Sequence, residues 1–498
     1  MKRPLVTLIA PAIALAVACS DALETPIDTD DAGASPPISD GGATEPSPEA
    51  SDDGGEPPLA DGGDADASHA DAGDADADVF APLIPSLATG RRLAVGRDHT
   101  CLLNEEGRVR CWGRNINGEL GYGDLNNRGD DPGEIALLED VPLGGPVAAI
   151  AAGGSVSCAV RSNGEVLCWG AGGRVGNGAT GHVGSLPGQM PPAPLALGGP
   201  ARQVVIGHFH ACALKTNGDV VCWGLDTDGS LGRGSAGDTI GDEAGEMPPP
   251  PVDLGEPAVA LVSGAYSTCA ALASGALRCW GSARYNPAML GHGSATEHVG
   301  DEPGDLPPAN VPLGGLAFSS LYAGVGHACV RSILGGALCW GDNTYNQLGP
   351  SDPAVGVGVG DAPGEMPPPR LGAQADGGAG PLDIASMALG NGHTCSLSSG
   401  GWVRCWGRNN YGQCGVPGQA VLGDEPGEFP PVPAVSVDAT DPVVEIAAGL
   451  GNPFTCARLA SGNVRCWGRN NYGQLGLGHT SNVGDDEVPS SVAAISIF

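Results

Sequence analysis

One stretch recurs seven times and limits what this chain can fold into: Cys, nine residues, Cys-Trp-Gly. The clearest copy is Cys101-Leu-Leu-Asn-Glu-Glu-Gly107-Arg-Val-Arg-Cys111-Trp112-Gly113. The spacing couples Cys101 with Cys111, Cys158 with Cys168, Cys212 with Cys222 and Cys269 with Cys279. It likewise couples Cys329 with Cys339, Cys395 with Cys405 and Cys456 with Cys466. Spacing inside the unit never varies, whereas successive pairs lie 54 to 66 residues apart. Constant units with variable connections mean a rigid core with tolerant loops.

A glycine always stands six residues after the first Cys: Gly107, Gly164, Gly218, Gly275, Gly335, Gly401 and Gly462. If the two cysteines face each other on a β-hairpin, residue 102 meets 110, 103 meets 109 and 104 meets 108. The remaining three-residue loop ends on glycine, where a type I turn with a G1 bulge needs a left-handed residue. The glycine thus supports the facing register, and facing residues lie within disulfide reach. Zinc is the competing reading, because His99, His210, His327 and His393 precede the first Cys by two. The other repeats have Val156, Ser267 and Phe454 there yet keep both cysteines, so the pair does not depend on the His. We expect seven disulfides, no metal, and histidines bonded to neighbouring backbone.

Each unit begins with a small-residue run such as Val147-Ala-Ala-Ile-Ala-Ala-Gly153, suited to the crowded centre of a ring. The hairpin follows, then Asn-x-x-Gly-x-Leu-Gly, a polar loop and a Pro-rich strand. That is about four strands per repeat, the content of a propeller blade. Each Trp follows the second Cys and so points to the opposite sheet face, towards an adjacent blade.

These motifs resemble the regulator of chromosome condensation repeat family. His393-Thr-Cys-Ser-Leu397, Trp406-Gly407 and Asn410-Tyr-Gly-Gln-Cys-Gly415 carry the likeness most closely. The resemblance implies an all-β, seven-bladed propeller over residues 83–498. Its paired cysteines depart from intracellular members and suit an exported variant. Cys414 replaces the Leu of Gly-Gln-Leu-Gly and reads as a buried apolar residue. The C-terminal run Val488–Phe498 is expected to pair with the first repeat and fasten the ring.

The N-terminus reads as an export signal. Lys2 and Arg3 precede the apolar stretch Leu5–Ala18, too short to span a bilayer. Leu15-Ala-Val-Ala-Cys19 resembles the bacterial lipobox, so residues 1–18 are expected to be removed and Cys19 lipidated. Stable anchoring needs more than one acyl chain. Residues 19–82 are an Asp/Ala/Gly/Pro-rich linker, and stretch 20–88 carries −18 with no Lys or Arg. Such composition cannot repay ordering entropy, so we expect a disordered stalk. The expected location is the cell envelope, at the outer membrane or cell surface.

The whole chain carries −34. Without a basic surface to neutralise phosphates, nucleic acid is excluded as a partner. The sequence has no Gly-x-Ser-x-Gly, His-Glu-x-x-His or P-loop. Asp124-Leu-Asn-Asn-Arg128-Gly129 approaches a calcium loop but has Arg at the fifth place. The candidate binding residues are the acids of a repeated Gly-Asp-Glu-Pro-Gly-Glu loop: Asp130, Asp242, Asp301, Asp361, Asp424 and Asp485, with Ser185 in repeat two. Two readings result. One is a monomeric, lipid-anchored scaffold that binds a protein partner through loops on one face, as in the family's known protein–protein roles. The other is a calcium-dependent glycan-binding or hydrolytic surface protein.

Overall fold

Every cysteine hairpin adopts the register its glycine requires. Cys101 faces Cys111, Leu102 faces Arg110 and Leu103 faces Val109. The Asn104 N–H donates to Arg108 O at 3.0 Å, and the Gly107 N–H to Asn104 O at 3.2 Å. The six described glycines at this place have φ between +79° and +92°. Gly335 lies outside the described residues.

All seven expected pairs are disulfide-bonded. Cys101 is joined to Cys111, Cys158 to Cys168, Cys212 to Cys222 and Cys269 to Cys279. Cys329 is joined to Cys339, Cys395 to Cys405 and Cys456 to Cys466. Their Cα atoms lie 4.0 to 4.1 Å apart. This close approach belongs to the non-hydrogen-bonded kind of antiparallel pair.

The computed structural model describes residues 92–283, 287–292, 298–333, 336–349, 383–423 and 433–498. They all lie within the unit Asp74–Phe498. Cys19, the acidic linker, Asp361 and Asp424 therefore lie outside the described residues.

The described residues form seven antiparallel sheets, one per repeat. We number them blades 1 to 7 in chain order. In blade 1 the inner strand Leu93–Val95 pairs with His99–Leu103, which pairs with Val109–Gly113. Later inner strands are Val147–Gly153, Ala201–Ile206, Ala258–Ser263, Phe318–Ala323, Ser386–Leu389 and Val443–Ala448. All seven line one central cavity of about 160 Å³, walled mostly by Ala, Val, Leu and Ile, with Gln203, Ser263, Tyr322 and Met387 among them. Small residues win these positions because the seven strands converge on one axis.

The fourth strand is reduced. Blades 3 and 6 keep the two-residue strands Thr239–Ile240 and Val421–Leu422. Blades 1, 2, 4 and 7 have single bridges, such as Gly113 to Arg128. Further out the Pro-rich segment touches its own blade once, as where Val141 N donates to Val109 O at 2.8 Å. Proline cannot donate to a ladder, so a Pro-rich edge pairs only between its prolines.

Ring closure corrects one expectation. The C-terminal run pairs with blade 7, not with the first repeat: Ile495 and Val464 exchange backbone hydrogen bonds of 2.8 and 2.9 Å. Its last two residues also reach blade 1, where Arg110 Nη1 donates to Ile497 O at 2.5 Å and the Arg110 guanidinium stacks over the Phe498 ring. Each blade is contiguous in sequence, so the final segment fills the outer edge of its own blade. The loop-to-tryptophan contacts described next join blade 7 to blade 1.

Candidate functional site

The hairpin turns lie at one end of the propeller. The turns after the inner strands and the Asn-x-x-Gly loops must therefore gather at the other, because the strands are antiparallel. We call this the loop end. In five of the seven blades a carbonyl of the preceding loop accepts the tryptophan N–H, including Trp340 Nε1 to Met289 O at 3.1 Å. Trp112 Nε1 donates to Gln474 O at 3.0 Å, Trp169 to Glu119 O at 2.9 Å, Trp406 to Gln347 O at 3.0 Å and Trp467 to Gln413 O at 3.0 Å. All seven of the repeated tryptophans are fully buried. Their expected role between blades is what the structure shows.

The same carbonyls take a second donor. Ser157 Oγ donates to Glu119 O, Thr394 Oγ1 to Gln347 O and Thr455 Oγ1 to Gln413 O, at 2.9, 2.7 and 3.0 Å. The histidines meet these hydroxyls rather than backbone, which corrects the sequence reading. Nε2 of His99, His210, His327 and His393 lies 2.8 to 2.9 Å from Ser157, Thr268, Thr394 and Thr455 in the following blade. Where the hydroxyl proton goes to a carbonyl, the imidazole must supply its own Nε2–H. Burial holds these imidazoles neutral, pushing them down to about 3, or about 4 for His210. The partnership accounts for two of the three repeats that lack His. Val156 and Ser267 precede blades with Ala211 and Ala328 at the hydroxyl position. Phe454 is the exception, since blade 1 keeps Thr100 there. Two repeats had to be read side by side to find this.

The acidic loops lie at the outer edge of the loop end, each against the preceding blade. The N–H groups of Gly123, Gly178, Gly234 and Gly478 donate to the carbonyls of Gly184, Gly241, Gly300 and Gly129. Asp130, Asp242, Asp301 and Asp485 are all half-buried. The last acid of the motif, which sequence reading passed over, organises the turn. Glu246 Oε2 accepts the N–H groups of Gly241, Asp242 and Glu243 at 2.8 to 3.2 Å. Glu134 and Asp305 cap their loops similarly, and uncharged Gln189 does so in blade 2. An acceptor, not a charge, is what the loop needs. Asp124 is closed by Arg128 at 2.7 Å, so the calcium-like run is an ion pair. Among the described residues, ligand atoms of Asp485, Asp486 and Glu487 lie within 4.8 Å of one another. Burial and neighbouring acids raise the Glu487 carboxyl to about 7.

Sequence reading also missed a band of alternating arginine and tyrosine. Arg408 stacks over Tyr345 at 5.3 Å and Tyr411 at 6.0 Å, Arg469 over Tyr411 at 4.8 Å, and Arg114 over Tyr472 at 5.7 Å. The band crosses blades 5, 6, 7 and 1. Its signal is Trp-Gly-Arg-Asn-x-Tyr-Gly, in which the Tyr of one repeat meets the Arg of the next. At its blade 1 end Arg114 Nη1 lies 3.7 Å from Asp98 Oδ2 and 3.9 Å from Glu119 Oε1. Glu119 occupies the Gln position of the loop, and burial raises it to about 7. Cys414 is fully buried, its thiol pushed well above the usual range, and donates to Arg408 O at 3.3 Å.

A seven-bladed β-propeller with disulfide-clasped blades is the class these features define. The chain belongs to the regulator of chromosome condensation (RCC1) repeat family. That repeat matches residues 91–119, 147–174, 201–230, 384–413 and 443–474, and in a second form 106–160 and 461–496. The Ultraviolet-B receptor UVR8 of Arabidopsis thaliana is 28% identical over 412 residues, covering 81% of this chain and 82% of that protein. The E3 ubiquitin-protein ligase HERC2 of Homo sapiens is 28% identical over 406 residues, but this chain spans 7% of its length. Among solved structures, Prp20p of Saccharomyces cerevisiae superposes with a TM-score of 0.57 at 20% identity, covering 82% of this chain and 87% of that one. Human WBSCR16 gives 0.54 at 20% identity, with 72% and 84% covered.

Proposed function

We propose that this protein is an extracytoplasmic, membrane-anchored scaffold that binds a protein partner at the loop end of its propeller. The arginine–tyrosine band carries the reading. Arg and Tyr are residue types enriched at protein-interface anchor positions. Here they form a strip on a chain of net charge −34, in which Tyr345, Tyr411, Arg469 and Tyr472 are half-buried and present their edges to solvent while Arg408 and Arg114 are buried beneath them. Similar propellers named a receptor and a ubiquitin ligase share one architecture, so function must be argued from the surface and not from the fold. Seven disulfides suit an oxidising compartment. No helix among the described residues is long and apolar enough to cross a membrane, so membrane attachment rests on Cys19.

Two experiments test this. Metabolic labelling with palmitate should mark the wild type and not Cys19→Ser, which should leave the membrane fraction. Affinity capture from envelope extracts should return a partner with the wild type and with Trp402→Ala, a side chain 66% exposed beside a hairpin turn. Arg469→Ala/Tyr472→Ala should lose it. Capture kept by the band variant and lost by Trp402→Ala would move binding to the opposite end and overturn the reading.

A further inference from the structure

Four repeats open the Asn-x-x-Gly-x-Leu-Gly loop with asparagine: Asn115, Asn343, Asn409 and Asn470. The Oδ1 atoms accept the N–H of Leu120, Leu348, Cys414 and Leu475 at 2.8 to 3.0 Å. In three of them Nδ2 reaches the other way. Asn409 Nδ2 donates to Val416 O and Gln419 O at 2.7 and 2.8 Å, and Asn470 Nδ2 to His479 O and Ser481 O at 2.7 and 2.9 Å. Asn115 Nδ2 donates to Asp124 O at 2.9 Å.

Blade 3 has Asp226 in this place. Its Oδ1 does the same work, accepting Leu231 N–H at 3.0 Å. Its backbone N–H donates to Asp238 O, and in blade 7 the Asn470 N–H donates to the side-chain Oδ1 of Asn482, the residue at the same offset. Ser235 and Gly237 stand at the offsets of His479 and Ser481, whose carbonyls take the amide in blade 7. Asp226 is 1% exposed and its Oδ2 has no hydrogen-bond partner. An oxygen acceptor thus stands where the sister loops place a donor to carbonyl oxygens. An unpaired carboxylate at this depth is strongly unfavourable. The acids Asp238 and Asp301 add to the negative field, while the exposed Arg233 opposes it more than either acid alone adds.

We propose that Asp226 Oδ2 and the adjacent loop carbonyls bind a calcium ion, which replaces the two N–H groups of the asparagine amide. Oxygen-only donors suit a hard cation. A single carboxylate places affinity in the weak class of extracellular modules, about 10⁻⁴–10⁻³ M. The competing occupant is a proton, since burial raises the Asp226 carboxyl to about 6.

Thermal unfolding of the purified protein in CaCl₂ and in EDTA at neutral pH tests this. In about 10 mM calcium the wild type should melt roughly 2 °C higher than in EDTA. Asp226→Asn should abolish that rise and melt above the wild type in EDTA, because it restores the amide. Asp485→Asn/Glu487→Gln should keep the rise. A calcium shift that survives Asp226→Asn overturns the site. So does a wild type indifferent to calcium whose melting deficit against Asp226→Asn closes between neutral pH and pH 5, which would make the occupant a proton. Should Asp226→Asn fail to fold, terbium luminescence of the wild type supplies the readout. Calcium should displace it, and it should persist in Asp485→Asn/Glu487→Gln; loss in that variant overturns the proposal.

Discussion

The indole N–H of Trp112 donates to the carbonyl oxygen of Gln474 at 3.0 Å, across 362 residues of sequence. Thr100 Oγ1 shares that carbonyl at 3.3 Å. Together they close the ring by the contact that joins successive blades elsewhere. Closure is therefore one more repeat junction.

Trp112→Phe keeps the packing and removes the donor. It should destabilise the protein by about 1 kcal/mol in urea unfolding, the net worth of a buried hydrogen bond. Trp223 supplies the internal control, since its Nε1 has no hydrogen-bond partner. Trp223→Phe should cost measurably less. Equal losses at the two sites would remove any special role for the Gln474 carbonyl.

His393 and Thr455 should behave as a unit. Thr455→Ala leaves a buried imidazole N–H unpaired and should cost about 1–3 kcal/mol. His393→Val/Thr455→Ala copies the Val156–Ala211 pairing already present between blades 2 and 3. The double variant should lose less than the sum of the singles, with a coupling of about 0.5–2 kcal/mol. Simple additivity would show that the two residues do not interact.

Acid should unfold the propeller through its histidines. His99, His210, His327 and His393 are held at about 3 to 4, below the ordinary 6.5. Between those values the unfolded chain binds protons that the folded chain refuses. The histidines' contribution to stability is therefore full above pH 6.5 and falls as pH drops towards 4. Each histidine contributes a slope of up to about 1.4 kcal/mol per pH unit. Replacing the His99–Ser157 pair by Val and Ala should flatten the melting-temperature profile in this window and leave it unchanged above pH 7.

Glu119 acts with the opposite sign. Its carboxyl stands at about 7 in the fold against 4.5 in the unfolded chain. Between these values the folded state holds the proton that the unfolded state has lost, so stability falls as pH rises through the window. Glu119→Gln, which restores the residue of three sister loops, should stabilise the protein at pH 8 by up to about 3 kcal/mol. The gain should vanish near pH 4; a gain independent of pH would rule out the carboxyl as its source.

Removing residues 494–498 deletes the Ile495 pairing, the buried Ile497 side chain and the Phe498 stack on Arg110. A loss of about 2–4 kcal/mol should follow, from one buried aliphatic chain and two backbone hydrogen bonds. Trp112→Ala should cost about as much or more, at roughly 3–5 kcal/mol. A truncation far more damaging than Trp112→Ala would return ring closure to the C-terminus.

The hairpin could be read from one repeat because every constraint on it is local. Cys101, Gly107 and Cys111 lie within eleven residues and jointly admit one register. The same local logic paired Cys158 with Cys168 and Cys456 with Cys466, and the structure bonds them so. The junction could not be read that way. His99 looked like a zinc ligand or a backbone partner because its real partner, Ser157, lies 58 residues away. The acidic loop misled for a related reason. Its repeated Asp drew attention as charge, while the Glu, Asp or Gln closing the motif was placing an acceptor over two or three N–H groups.

By itself the sequence determined the repeat, its count, the disulfide clasp and the oxidising chemistry the clasp suits. Those follow from spacing and backbone geometry within a dozen residues. Only the tertiary structure decided how the ring closes, what the buried histidines bond to, and that arginine and tyrosine alternate across four blades. It alone showed that the acceptor Asp226 stands, unpaired, where its sisters use an amide. The physical reason lies in reach: most of these groups are satisfied by the neighbouring blade, and a hydrogen bond between repeats leaves no trace in the spacing of either one.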